Sequence, residues 1–102
     1  MGLFFDSNLS KWKKAVMNAV DRTVSDSPLF AGHNISVGIN TLTGTLTIRG
    51  NVYYHPVIYS RRYSQGYAKE EFLSRVQGWM NVYADGLGDP PPINGHFHVI
   101  SY

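Results

Sequence analysis

The apolar positions change period along this chain, and each change marks an element. From about Asn8 to Ser25, Leu9, Trp12, Val16, Ala19, Val20, Thr23 and Val24 recur at three- and four-residue spacing, which predicts an amphipathic helix. Lys11, Lys14, Asn18, Asp21, Arg22 and Ser25 fall on the opposite side, so one face meets a core and the other meets water. Ser7 or Asn8 is expected to cap its start, and Asp26-Ser27-Pro28 to stop it. The preceding Leu3-Phe4-Phe5 run is too apolar for a solvated arm and is expected to dock, as a staple on the same helix or on a partner.

From Asn34 the period becomes two. Ile35, Val37 and Ile39 alternate with Ser36 and Gly38, which is the pattern of a half-buried strand. Asn40 to Gly44 reads as a loop, and Thr45 to Arg49 resume the alternation, so the pair predicts an antiparallel hairpin. Gly50-Asn51 reads either as a tight turn or as a bulge in one long strand. Val52 to Tyr54 and Val57 to Tyr59 are strand formers separated by Pro56, which cannot donate to a ladder and so places this stretch at an edge or bend. Arg61 to Gly66 reads as a polar connection.

Phe72, Leu73, Val76, Trp79, Met80, Tyr83 and Ala84 give a second helical stripe, opened by Lys69-Glu70-Glu71 and expected to end near Asp85 with Gly86 as terminator. Gly88 to Pro92 is a stiff linker, Asn94-Gly95 a turn pair, and Phe97, Val99 and Ser101 alternate with His96, His98, Ile100 and Tyr102 in a last strand. The chain is therefore expected to be one α+β domain over residues 1–102. It would be a two-layer sandwich in the order α-β-β-(β)-α-β, with two helices on one face of an antiparallel sheet of three to four strands. The other sheet face and one edge are left for function.

Composition narrows the classes. At 102 residues with 43% hydrophobic and 14% aromatic positions, the chain is neither disordered nor low in complexity. A domain this size hides roughly 65% of its unfolded surface, enough to fold without metal or disulfide. The absence of cysteine removes thiol nucleophiles and thiolate zinc sites. No segment approaches the length of a membrane span or has the basic leader of an export signal, so a cytoplasmic or virion-associated location is expected. Charged residues are only 16%, replaced by Gly, Asn, Ser, Thr and seven Tyr, and the net charge of +2 permits a polyanion partner without implying one.

His96-Phe97-His98 places two imidazoles on one strand face about 7 Å apart. This triplet resembles the paired-histidine motif of the rolling-circle replication and relaxase nucleases. The resemblance implies a divalent metal that orients a DNA phosphate and a helix-borne tyrosine nucleophile, here Tyr67 or Tyr83. It rests on these three residues, and no acid lies near them in sequence as a third ligand. His33 and His55 complete a set of four histidines with no recognised zinc spacing. Lys11, Lys13 and Lys14 form one basic cluster. Arg61 and Arg62 with Tyr59, Tyr63 and Tyr67 form another, a mixture of phosphate-neutralising and base-stacking groups that suits single strands. The element order also resembles double-stranded RNA-binding domains, but the expected lysine-rich start of the second helix is Lys69-Glu70-Glu71 here. No phosphate-binding glycine loop or nucleophile elbow is present, and Glu70 and Glu71, adjacent on a helix, splay by about 100°.

Few charges, many tyrosines and an open edge are what interface cores are made of. The expected function is therefore protein association without catalysis. The chain would be a small structural or assembly subunit, of the kind found by analogy of architecture in phage neck, tail or baseplate complexes. Its partners would be copies of itself or subunits of a hetero-complex, with no cofactor and no metal. A small inhibitor or counter-defence protein that binds a larger enzyme, and a sequence-tolerant nucleic-acid binder, are the alternatives; a metal-dependent nuclease using His96 and His98 is the remote one. The expected contact residues are Phe4, Phe5, Tyr53, Tyr54, Tyr59, Arg61, Arg62 and Tyr63.

Overall fold

The computed structural model describes residues 2–102, with side chains from Asn8 onward. The first helix, α1 (Gly2–Asp26), buries Leu9, Trp12, Ala15, Val16, Ala19, Val20 and Thr23, the face its spacing predicts. It starts earlier than expected, because nothing between Leu3 and Ser7 breaks a helix and Phe5 stands four residues before Leu9, in step with the stripe. Ser7 and Asn8 are thus interior positions rather than caps. The expected docking of Phe4 and Phe5 concerns side chains that lie outside the described residues.

After Asp26 the chain turns on Ser27, whose buried hydroxyl accepts from the Leu29 N–H at 3.3 Å. Three strands follow: β1 (Phe30–His33), β2 (Ser36–Asn40) and β3 (Thr45–Tyr54). The loop between β2 and β3 is an Asx turn in which Asn40 Oδ1 accepts from the N–H groups of Leu42 and Thr43 at 3.0 and 3.3 Å. Gly44 closes it with φ 66°. β3 is the central strand, paired antiparallel to β2 from Thr45 to Arg49 and to β1 from Val52 to Tyr54. The last strand, β6 (Ile93–Ser101), runs beside β3 from Leu46 to Tyr54, so β1 and β2 lie end to end on the opposite edge. β1 is an addition to the sequence reading, since four residues with two small ones, Ala31 and Gly32, carry too short a pattern to show a period.

The helix α2 (Gln65–Tyr83) returns the chain between β3 and β6, and this crossover is why β6 enters parallel to β3 while the hairpin part of the sheet is antiparallel. Ser64 caps α2, accepting from the Tyr67 N–H at 3.1 Å, so Lys69 to Glu71 lie inside the helix instead of opening it. Gly86 has the left-handed φ of 81° expected past a helix end. Asn94-Gly95, read as a turn, lies within β6.

Both helices pack side by side on one face of the sheet, α1 over β1 and β2 and α2 over β6. The result is a two-layer α+β domain in the order helix, three strands, helix, strand. Phe72 ties the layers together, meeting the rings of Phe30 at 5.7 Å and Phe97 at 5.4 Å. Between the helices, the Arg22 guanidinium lies 4.5 Å above the Trp79 ring while its Nε donates to Asp26 at 2.8 Å. That hydrogen bond, with the carboxylate's charge, raises the Arg22 pKa.

Candidate functional site

Pro56 ends the ladder that β3 makes with its neighbours, and the chain folds outward into a small separate hairpin, β4 (Val57–Ile58) and β5 (Arg61–Arg62). The segment read as a polar connection is thus partly strand. Its anchors are backbone bonds from the His55 N–H to the Leu29 carbonyl at 2.7 Å and from the Tyr63 N–H to the Pro56 carbonyl at 2.8 Å. Ile58 pairs with Arg61, leaving Tyr59 and Ser60 as a two-residue turn with φ of 50° and 68°. Turns of this hand match the twist of the strands but favour Asn and Gly. A left-handed tyrosine and serine cost roughly 1–2 kcal/mol each. The turn holds Tyr59 almost wholly in solvent, 97% exposed.

Behind the turn the aromatic and basic residues converge. The Arg61 guanidinium sits 5.5 Å from the Tyr63 ring, and Tyr63 meets Tyr67, on the first turn of α2, with ring centres 5.3 Å apart. A depression of about 250 Å³ lies between Leu29, Ile58, Tyr59, Tyr63, Tyr67 and Glu71. Arg61 and Arg62 are exposed, and Tyr63 is half-buried against the core. Four of the expected contact residues, Tyr59, Arg61, Arg62 and Tyr63, are therefore brought together with Tyr67.

The other predicted contacts fall elsewhere. Tyr54 is 5% exposed and belongs to the core, because β3 continues through it and its alternation puts Tyr54 with Leu46 and Val52 on the helix-facing side. Gly50-Asn51, left open as turn or bulge, is interior to that same continuous strand. Tyr53 is half-buried on the opposite face of β3. Leu42, at the β2–β3 turn, is 96% exposed; the apolar periodicity does not mark it, and its only signal in the sequence is an isolated leucine flanked by threonines.

The sheet face turned away from the helices carries Thr45, Thr47, Arg49, Asn51 and Tyr53 of β3. From β6 it carries Asn94, His96, His98 and Ile100, since Phe97 and Val99 point into the core. The parallel register sets His96 beside Arg49 and His98 beside Asn51. Among the described residues no group of three His, Cys, Asp or Glu side chains could hold a metal ion. Tyr67 and Tyr83 ride on α2, in the layer behind the sheet, so neither confronts the histidine pair as a nucleophile would. The remaining histidines are engaged locally: His33 pairs through Nε2 with Asp21 at 2.7 Å and accepts at Nδ1 from the Ile35 N–H at 3.0 Å, and His55 packs edge-on to Tyr102.

No helix of the described residues is long and apolar enough to cross a membrane. Comparison with known proteins finds no family model, no curated protein and no solved structure that matches this chain.

Proposed function

We propose that this chain is a non-enzymatic association module, a small structural or assembly subunit that joins copies of itself through the β4–β5 hairpin. The observation that carries this reading is Tyr59, a large aromatic side chain 97% exposed at the tip of a hairpin that stands outside the main sheet. Its backbone is held in a conformation tyrosine disfavours, and strain of this kind persists where the surrounding structure has a use for it. Exposed Tyr and Arg side chains are the usual anchors of interfaces, and Arg61 and Arg62 flank the tip. The low charge content, 16% of residues, removes much of the repulsion that keeps surfaces apart.

The shape agrees with such a subunit. The principal extents are 54 × 23 × 17 Å and the radius of gyration is 14.6 Å, against about 13 Å for an ordinary compact domain of this length. An elongated body with a projecting aromatic tip reaches a neighbour without burying its own flanks. The test is the solution mass of the wild type and of the Tyr59→Asn, Ser60→Gly double variant, which keeps the turn and removes the anchor. A concentration-dependent oligomer that the variant loses supports the reading; equal masses for the two proteins contradict it.

A further inference from the structure

We propose that the uncovered face of the sheet binds single-stranded nucleic acid, with Arg49 and Lys69 on its phosphates and Tyr53, His96 and His98 against its bases. The first ground is the partition of charge. The seven acidic residues are Asp6, Asp21, Asp26, Glu70, Glu71, Asp85 and Asp89, and not one lies on a strand. Of the charged groups, the strands carry only Arg49, Arg61 and Arg62. A polyanion approaching the uncovered face meets Arg49 and hydrogen-bond donors with no carboxylate on the strands, whereas the acids lie on the two helices and on the connection between α2 and β6.

The second ground is what the face is made of. Arg49 stands beside His96, Asn51 beside His98 and Tyr53 beside Ile100 in successive rungs of the β3–β6 ladder, so cation, amide and ring surfaces repeat along a strip. Lys69 and Gln65 of α2 extend the strip past the outer edge of β6, where with Phe97 and His98 they border a depression of about 240 Å³. Gln65 also donates to the Val99 carbonyl at 2.6 Å, which fixes α2 against that edge. Three strand positions side by side span about 10 Å and nine residues along β6 about 30 Å, room for about four nucleotides, the lower end of single-strand site sizes.

Ile100 is the one aliphatic side chain on this strip of β3 and β6, so the face lacks the apolar centre that a protein interface needs. A sheet of this width does not fit the groove of a duplex, which admits a helix or a two-stranded ribbon, but it can support splayed bases, which stack on Tyr and imidazole rings without regard to sequence.

The test is fluorescence anisotropy of a labelled oligothymidylate of about twelve nucleotides, which covers more than the site size, titrated with the full chain at low and at fourfold higher salt. Binding should weaken about sevenfold between the two salts, as expected for two phosphate contacts on a single strand. The variant Arg49→Gln, His96→Gln, His98→Gln should bind at least about tenfold more weakly, on the scale of lost stacking and phosphate contacts. Lys13→Gln on α1, which removes one positive charge as Arg49→Gln does, should stay near wild type, as should the hairpin variant Tyr59→Asn, Ser60→Gly. Amide resonances of the wild type should shift along β3 and β6 when the oligonucleotide is added, a readout that needs no variant. Absence of binding, equal loss in the α1 variant, shifts confined to the helices, or a change of solution mass in the sheet variant in place of lost oligonucleotide binding would each overturn the proposal.

Discussion

Asn34 closes the gap between two strands by bonding to Asn51 twice: its Oδ1 accepts from the Asn51 N–H at 2.6 Å, and its own N–H donates to the Asn51 carbonyl at 3.0 Å. Asn51 lies where β3 passes from β2 to β1, and without Asn34 its backbone polar groups would face that gap unpaired. Gly50 makes the arrangement possible. With φ of 123°, a Cβ there would stand 2.6 Å from the Asn34 carbonyl oxygen and 2.9 Å from Oδ1. Gly50→Ala is expected to destabilise the fold by about 3 kcal/mol through strain and collision, and Asn34→Ala by about 1 to 2 kcal/mol through the lost side-chain bond. Urea unfolding checks both; a Gly50→Ala midpoint equal to wild type would mean that the junction relaxes freely.

Thr23 sits fully buried on α1 with its hydroxyl unpartnered. A buried hydroxyl without a hydrogen bond is a desolvation cost, and valine has nearly its shape. Thr23→Val is expected to raise stability by about 1 kcal/mol, seen as a higher melting temperature. A lower one would indicate that the hydroxyl has a partner in solution.

Phe72 links α2 to both β1 and β6 through its two edge-on contacts. Truncation to alanine should cost about 3 to 5 kcal/mol, much of the stability of a domain this small. The variant should therefore lose cooperative unfolding or melt far below wild type. A melting point within a few degrees would show that the helix layer is not locked to the sheet there.

Tyr59 and Ser60 separate stability from association. Asn and Gly suit the left-handed turn, so the double replacement is expected to stabilise the isolated domain by about 1 to 2 kcal/mol while weakening association at least tenfold, the scale of losing one anchor. Calorimetry and sedimentation together check the opposed signs; a variant that is both more stable and equally associated would separate the strain from function.

The elements with several repeats of a period were legible in the sequence. The stripe from Leu9 to Thr23 is the buried face of α1, and the alternation from Ile35 through Ile48 is the β2–β3 pair in its register. What the pattern missed depends on partners distant in sequence. β1 is defined by its pairing with the end of β3, the direction of β6 by the crossover through α2, and the continuity of β3 across Gly50-Asn51 by a side chain seventeen residues away. The hairpin patch was partly legible because Arg61, Arg62, Tyr59 and Tyr63 are neighbours in sequence, whereas Tyr54 looked equivalent to them until its place on the inward face was fixed. The acid-free face of the sheet was hidden, since acids absent from strands become visible only once the strands are known.

The most direct test of the association account is light scattering on the purified chain over a wide concentration range, with the absorbance ratio that reveals bound nucleic acid recorded alongside. The account predicts a defined mass that is a multiple of 11.5 kDa and falls to the single-chain value in the Tyr59→Asn, Ser60→Gly variant. A wild type that stays at 11.5 kDa throughout the range would contradict self-assembly through the hairpin.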